Sequence, residues 1–137
     1  MTERVFIAAT GIYAGMTLSI SISGVPAIYI SQKPKDTWKT IYDTGKTLAI
    51  PLVLATAISG GMLYQRTSNP KILAATIIGA FPMPFTALVM RSNIKALESA
   101  SNVDPNVKDL TRTWAKLHAV RTVAGIASFG IAIYSLL

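Results

Sequence analysis

The only histidine of this 137-residue chain, His118, lies in the stretch Trp114-Ala-Lys-Leu-His118-Ala-Val-Arg121-Thr122. At about 100° per residue, positions i, i+4 and i+7 share one stripe of a helix, so an indole, an imidazole and a guanidinium line up there. A neutral imidazole accepts a proton near physiological pH, and a guanidinium is permanently charged and presents a planar fork of donors to an anion. Val123 to Leu137 then carry no charge. A base and a fixed cation therefore stand at the threshold of a membrane-like segment, where charge is costly and is seldom kept without a partner or a purpose. Taken singly, each residue also has a plainer reading: an interfacial histidine, a snorkelling arginine, a tryptophan anchor. Their joint spacing is what singles the stretch out.

The elements that must position these groups follow from composition. Hydrophobic residues make up 51% of the chain and charged ones 14%, with a mean hydropathy of +0.46, so a soluble globular domain is a poor expectation. One all-α integral membrane domain covering residues 1–137 is expected instead. The net charge of +7 falls in short clusters between apolar runs, with no nucleic-acid recognition motif, and points to anionic lipid headgroups. Cysteine is absent, which removes disulfides and thiolate metal sites, and a metal centre built on one histidine is a weak proposition.

Four spans are legible. The uncharged run Val5 to Gln32 is long enough to cross a bilayer, and it continues through Gly24-Val25-Pro26 where a cleaved signal peptide would give way to polar chain. Gly11 and Gly15 form a GxxxG pair, read as packing within the chain, and Pro26 should end or kink the helix. Asp36 is expected to cap the second helix, with Trp38 and Tyr42 on one face, Trp38 as an aromatic-belt residue. The second and third spans each have 19 uncharged residues, between Lys46 and Arg66 and from Ile72 to Met90. Pro51 should bend the second. Pro82 and Pro84 break the third, which is read as a kink whose freed carbonyls are met by Thr86, water or another helix. After Met90 the chain turns polar, and Asp104-Pro105 is a helix start. The last helix opens with an amphipathic extension, and its uncharged part, Thr122 to Leu137, has only 16 residues, so a full span of about 20 must reach back to about His118. Ala124, Ser128 and Ala132 should give it a small-residue packing face. The expected helices run near 4–31, 37–65, 70–90 and 105–136.

Counting crossings puts Trp38, Tyr42, Asn93, Trp114, His118 and Arg121 toward one side. That side carries ten Lys and Arg against three (Arg4, Arg66, Lys71), so the segments 33–46 and 91–117 are expected to be cytoplasmic.

Gly15, Pro26, Trp38…Tyr42…Gly45…Pro51, Pro84-x-Thr86…Asn93-x3-Leu97 and Trp114-x3-His118-x2-Arg121-Thr122 together resemble the small four-helix membrane proteins of the anthrone oxygenase-like family. The resemblance covers nearly the whole chain. Arg91-Ser92 stands before Asn93 where family members often carry Pro-Thr. The resemblance implies oxidation of an anthrone-like polycyclic aromatic ketone to a quinone by O2, without flavin or metal. In that chemistry His118 would remove a proton from the activated methylene, and Arg121 and the Asn93 amide would hold the enolate. Trp114, Tyr42 and Thr86 would bind the flat substrate. The partners implied are a small aromatic substrate, O2 and the bilayer, with assembly into homo-oligomers left open.

Two other classes remain open at this stage. A small transporter fits the size, but no Asp or Glu lies within an apolar span to couple protons. A structural subunit without chemistry is the other, and its haem-anchoring variant would need a second axial ligand beyond the one histidine.

Overall fold

The computed structural model describes residues 1–137. It is all-helical, and its four long helices are α1 (Thr2–Ile30), α2 (Pro34–Thr67), α3 (Pro70–Ser99) and α4 (Val107–Leu136), each long and apolar enough to cross a membrane. At 1.5 Å per residue they measure roughly 44 to 51 Å, against a hydrocarbon core of ~30 Å, so each projects beyond it. Consecutive helices pack against each other and α4 closes the ring against α1, a four-helix up-down bundle.

The polarity of the bundle suits a bilayer. Its outside shows Ile12, Ile22, Ile58, Ile77, Leu88 and Val123, while Thr10, Thr17, Thr56, Ser59, Thr122 and Ser128 are buried. Most buried hydroxyls return to a carbonyl of their own helix, as Thr10 Oγ1 donates to Phe6 (2.8 Å). Ser128 Oγ instead donates across to the Ala75 carbonyl (2.7 Å), stitching α4 to α3. A methyl on Gly79 would meet Ser128 Oγ at 2.6 Å and Thr56 at 2.7 Å, so only glycine lets α2, α3 and α4 meet there. Gly11 makes the same allowance for Phe129 (2.9 Å), but Gly15 faces open space, so only half of the GxxxG pair packs within the chain. In the small-residue face of α4, Ser128 and Ala132 are buried as expected, and Gly125 takes the place expected for Ala124.

Several boundaries differ from the sequence reading. The polar segment after Met90 is not a turn: α3 continues through Arg91–Ser99, burying Asn93, Ile94 and Leu97 and turning Arg91, Lys95 and Glu98 outward. The expected cytoplasmic segments 33–46 and 91–117 are thus mostly helix, and the true connections are the short pieces 31–33 and 100–106. The amphipathic extension is the first part of α4, continuous with its span. Asp104 does not cap α4. Its carboxylate accepts the Ser101 N–H (2.9 Å) and its carbonyl accepts the Val107 N–H (3.2 Å), so helix begins at Val107. Asp36 is not the cap of α2, because Pro34 already starts the helix and leaves Asp36 in the first turn, its amide donating to Asn102 Oδ1 (3.1 Å). That bond ties the two connections together.

Proline effects are local. Pro26 does not end α1: the helix widens into a π-turn at Ile20–Gly24, with the Val25 N–H donating to the Ile20 carbonyl, and then runs on to Ile30. A second π-turn, Thr86–Met90, follows Pro82 and Pro84 in α3. Pro51 sits inside α2 without breaking it. Against the first part of α3, Pro70–Ala80, α2 packs closely; beyond Pro82 it makes far less contact.

Candidate active site

The gap left by this loosening is a cavity of about 250 Å³, reached by all four helices. It lies between two packed clusters. Phe6, Leu63, Ile72, Ala75 and Ala132 close one end of the bundle; Trp38, Met90, Leu97 and Trp114 are among those closing the other. Pro82 lines the cavity, at the point beyond which α2 and α3 lose contact, so the break in α3 lies at a cavity wall. The volume lies just below the ~300–1,000 Å³ of most small-molecule sites, which suits a compact molecule.

On α4 the buried stripe is Thr111, Trp114, His118, Thr122, Gly125 and Ser128, recurring every three or four residues. Trp114 and His118 both line the cavity, with their rings stacked at 5.0 Å and 10°. Arg121 lies one step off that stripe and reaches toward α3. Its Nη1 donates to Thr86 Oγ1 (3.1 Å) and its Nη2 to His118 Nδ1 (2.9 Å). Thr86 itself donates to the Pro82 carbonyl (2.7 Å), meeting one of the groups that the prolines leave free.

These bonds fix the histidine. Nε2 lies 3.0 Å from the Thr17 carbonyl, which only accepts, so Nε2 carries the hydrogen. A guanidinium only donates, so Nδ1 is bare and the imidazole is neutral. The Thr17 carbonyl also accepts from Thr122 Oγ1 (3.1 Å), which in turn meets Ser21 Oγ (2.8 Å). Thr17 lies just before the first π-turn and Thr86 opens the second, so both irregular turns adjoin the bonds that hold the His118–Arg121 pair. Arg121 has no carboxylate partner, its Nε is buried without a partner, and its guanidinium carbon lies 5.9 Å from the Trp114 ring centroid. A desolvated cation without a counter-ion beside a cavity is an anion-holding arrangement.

Of the residues singled out from sequence, His118, Arg121, Trp114, Tyr42 and Thr86 all line this cavity. Asn93 does not. Because α3 stays helical, Asn93 is turned to the opening of α4, where Nδ2 donates to the Leu110 carbonyl (3.1 Å). Leu110 precedes His118 by eight residues, roughly 12 Å of helix rise, too far for a shared reacting atom. Trp38 is not a belt residue either: it is fully buried, stacked on Tyr42 (5.1 Å) and edge-on to Trp114 (6.3 Å). Tyr13, Thr17 and Lys46 also line the cavity and were not singled out. Thr10, Tyr13 and Thr17, three and four apart in an apolar run, put hydroxyls on one stripe of α1, a signal the sequence did carry. No group of three or more His, Cys, Asp or Glu side chains gathers anywhere to hold a metal ion.

Residues 38–131, from the buried Trp38 to within five residues of the end of α4, match the sequence model of the anthrone oxygenase family. The chain belongs to that family. The match spans every cavity-lining residue of α2, α3 and α4, while α1, which supplies Tyr13 and Thr17, precedes it. No curated protein and no solved structure matches the chain.

Proposed function

We propose that the cavity is the active site of a membrane-bound oxygenase that converts an anthrone-like polycyclic aromatic ketone to a quinone with O2. The observation that carries this reading is the pairing of a neutral His118, its Nδ1 bare, with an Arg121 that has no counter-ion, inside a largely apolar cavity. Family membership supplies the reaction class.

The substrate's ketone oxygen displaces His118 from the Arg121 fork and takes hydrogen bonds from Arg121, with Thr86 holding the guanidinium in place. His118 Nδ1, now free, removes one proton from the methylene on the far side of the same ring, and Arg121 stabilises the charge that moves onto oxygen. The enolate carbon gives electrons to O2 and a C–O bond forms. The peroxide takes the proton back from His118, and the hydroperoxide loses its remaining C–H proton and hydroxide to give the second carbonyl and water. One O2 is consumed per quinone, one oxygen atom entering product and one leaving as water, so no external reductant and no cofactor is required. Trp114 and Tyr42 flank the flat rings. Substrate and O2 both partition into apolar surroundings, which suits a cavity inside a bilayer. Asn93 has no part in this scheme. By the same charge count as before, the ends of the bundle carrying residues 33–46 and 91–117 face the cytoplasm.

A second reading has its own observation: Nδ1 is occupied by Arg121, so His118 could serve only to orient the guanidinium. Anaerobic exchange of the substrate's methylene hydrogens with deuterated water separates the two. If His118 is the base, wild-type protein accelerates exchange without O2, and His118→Gln lowers that rate by about 10² or more. Unchanged exchange in the glutamine variant assigns His118 to orientation. Failure of wild-type protein to consume O2 and form quinone from any anthrone would end the oxygenase reading itself.

A further inference from the structure

The cavity's lining contains two cations, Arg121 and Lys46, and no Asp or Glu. Arg121 has a role in the reaction proposed above. Lys46 has none. It stands on α2 at the rim, with its side chain 48% exposed, and its amine lies 5.1 Å from the Tyr42 ring centroid. The nearest carboxylate, Asp43, is 3.8 Å from that amine but is held more closely by Lys39 at 3.2 Å. The charge of Lys46 is therefore only loosely matched. One turn along the same stripe of α2 comes Ile50, and across from it on α3 is Met83; both are lining residues that are also exposed, at 41% and 39%. These exposed edges mark the mouth. Two are apolar and one is cationic.

Arg121 is largely enclosed between α3 and α4, whereas Lys46 is half-exposed on α2, and the Trp38–Trp114 contact puts the two cations about level along these parallel helices. Along α2 the lining runs from Ile41 to Val53, roughly 18 Å of helix rise, whereas along α4 it runs from Trp114 to Arg121, roughly 10 Å. A flat molecule whose ketone reaches Arg121 and that lies across the cavity, from α4 to the half-exposed rim on α2, brings its remote edge to Lys46. Neutral aromatic surface there would meet an ammonium with nothing to offer it beyond the Tyr42 face already in use. An acidic substituent would complete the pair at this half-exposed rim, with an attraction that salt screens. An ammonium is a compact point charge and accepts a carboxylate or an ionised phenol equally.

We propose that the substrate of this site carries an acidic group, a carboxylate or ionised phenol, on the ring edge remote from the reacting ketone, and that Lys46 is the residue that selects it. This rests on the oxygenase reading only for the direction in which the ligand lies.

The test uses binding, so that it does not depend on turnover. Full-length protein in nanodiscs of phosphatidylcholine, which offers no net-anionic competitor, is titrated with anthraquinone-2-carboxylate and with its neutral isostere anthraquinone-2-carboxamide, followed by quenching of the cavity's tryptophan fluorescence. The carboxylate should bind wild-type protein about 10-fold more tightly, equivalent to about 1.4 kcal/mol. The preference should vanish in Lys46→Met and reverse in Lys46→Glu. In wild-type protein it should also shrink as ionic strength rises, because a pair at an open mouth is screened. Equal binding of the two ligands by wild type, or a preference that survives Lys46→Met or high salt, overturns the inference. If the preference behaves as stated but neither matching anthrone is oxidised, the oxygenase reading falls and the selection by Lys46 stands.

Discussion

His118 and Arg121 define each other's state. The imidazole has one donor and one acceptor, both assigned by what they face, and the guanidinium bridges Thr86 and Nδ1 through two different nitrogens at 3.1 and 2.9 Å. A lysine ammonium at the same position could reach one of those partners but has no rigid plane with which to hold both. An interfacial anchor would tolerate the exchange, since both side chains snorkel. Arg121→Lys is therefore expected to insert and fold normally yet to lose about 10-fold or more in turnover at saturating substrate, a factor of ten corresponding to about 1.36 kcal/mol of transition-state stabilisation. Turnover numbers for purified variant and wild type check this, with near-equal values assigning Arg121 to topology. The alignment of Trp114 with His118 was readable from their four-residue spacing. Where Arg121 points was not, because it depends on Thr86 of another helix. Asn93 was misplaced for a related reason: its polarity suggested a loop near the site, whereas Ile94 and Leu97 beside it make one face of a continuing helix that turns Asn93 toward Leu110.

The irregular turns do at the level of elements what no regular helix could. A proline in a helix interior removes an N–H donor and crowds the preceding turn, at a cost of about 3 kcal/mol. In α1 the widened turn before Pro26 accommodates that ring without ending the helix, and in α3 the pair Pro82 and Pro84 precedes a second widened turn. The prolines themselves were visible in the sequence, but a kink and a cavity wall give the same letters; only the loosened contact between α2 and α3 beyond Pro82 distinguishes them. If the prolines hold the cavity open, replacing them should straighten α3 and let α2 close in. The double variant Pro82→Ala, Pro84→Ala is thus expected to be at least as heat-stable in detergent as wild type, since two unfavourable residues leave a helix, while binding a flat aromatic ligand at least 10-fold more weakly. Thermal midpoints and fluorescence titrations on the same preparations decide it. Unchanged affinity would mean that the walls are held apart by something other than the prolines.

At the scale of the whole molecule, four apolar runs separated by short polar segments already specified the bundle, because a bilayer admits few alternatives for a backbone that must satisfy its own hydrogen bonds. What the runs could not show is how far helix continues past them: α3, expected to end near residue 90, extends to Ser99 through a segment whose charge made it look like a loop, with Arg91, Lys95 and Glu98 simply lining its outward face. Charge still bears on orientation. Ten Lys and Arg lie toward the connections 31–33 and 100–106 and three toward the opposite end, and removing Arg121 from the count leaves nine against three. The mouth at Lys46 belongs to the richer end, so orientation also determines which leaflet delivers the substrate. Because the chain has no cysteine, a single introduced thiol reports on one place only. Ser101 and Ser68 are both exposed and sit at opposite ends of the bundle. In sealed vesicles whose cytoplasmic face is outermost, an impermeant maleimide should label Ser101→Cys at once and Ser68→Cys only after detergent is added. The reverse pattern would place the Lys46 mouth in the other leaflet and show that charge balance does not set the orientation of this bundle.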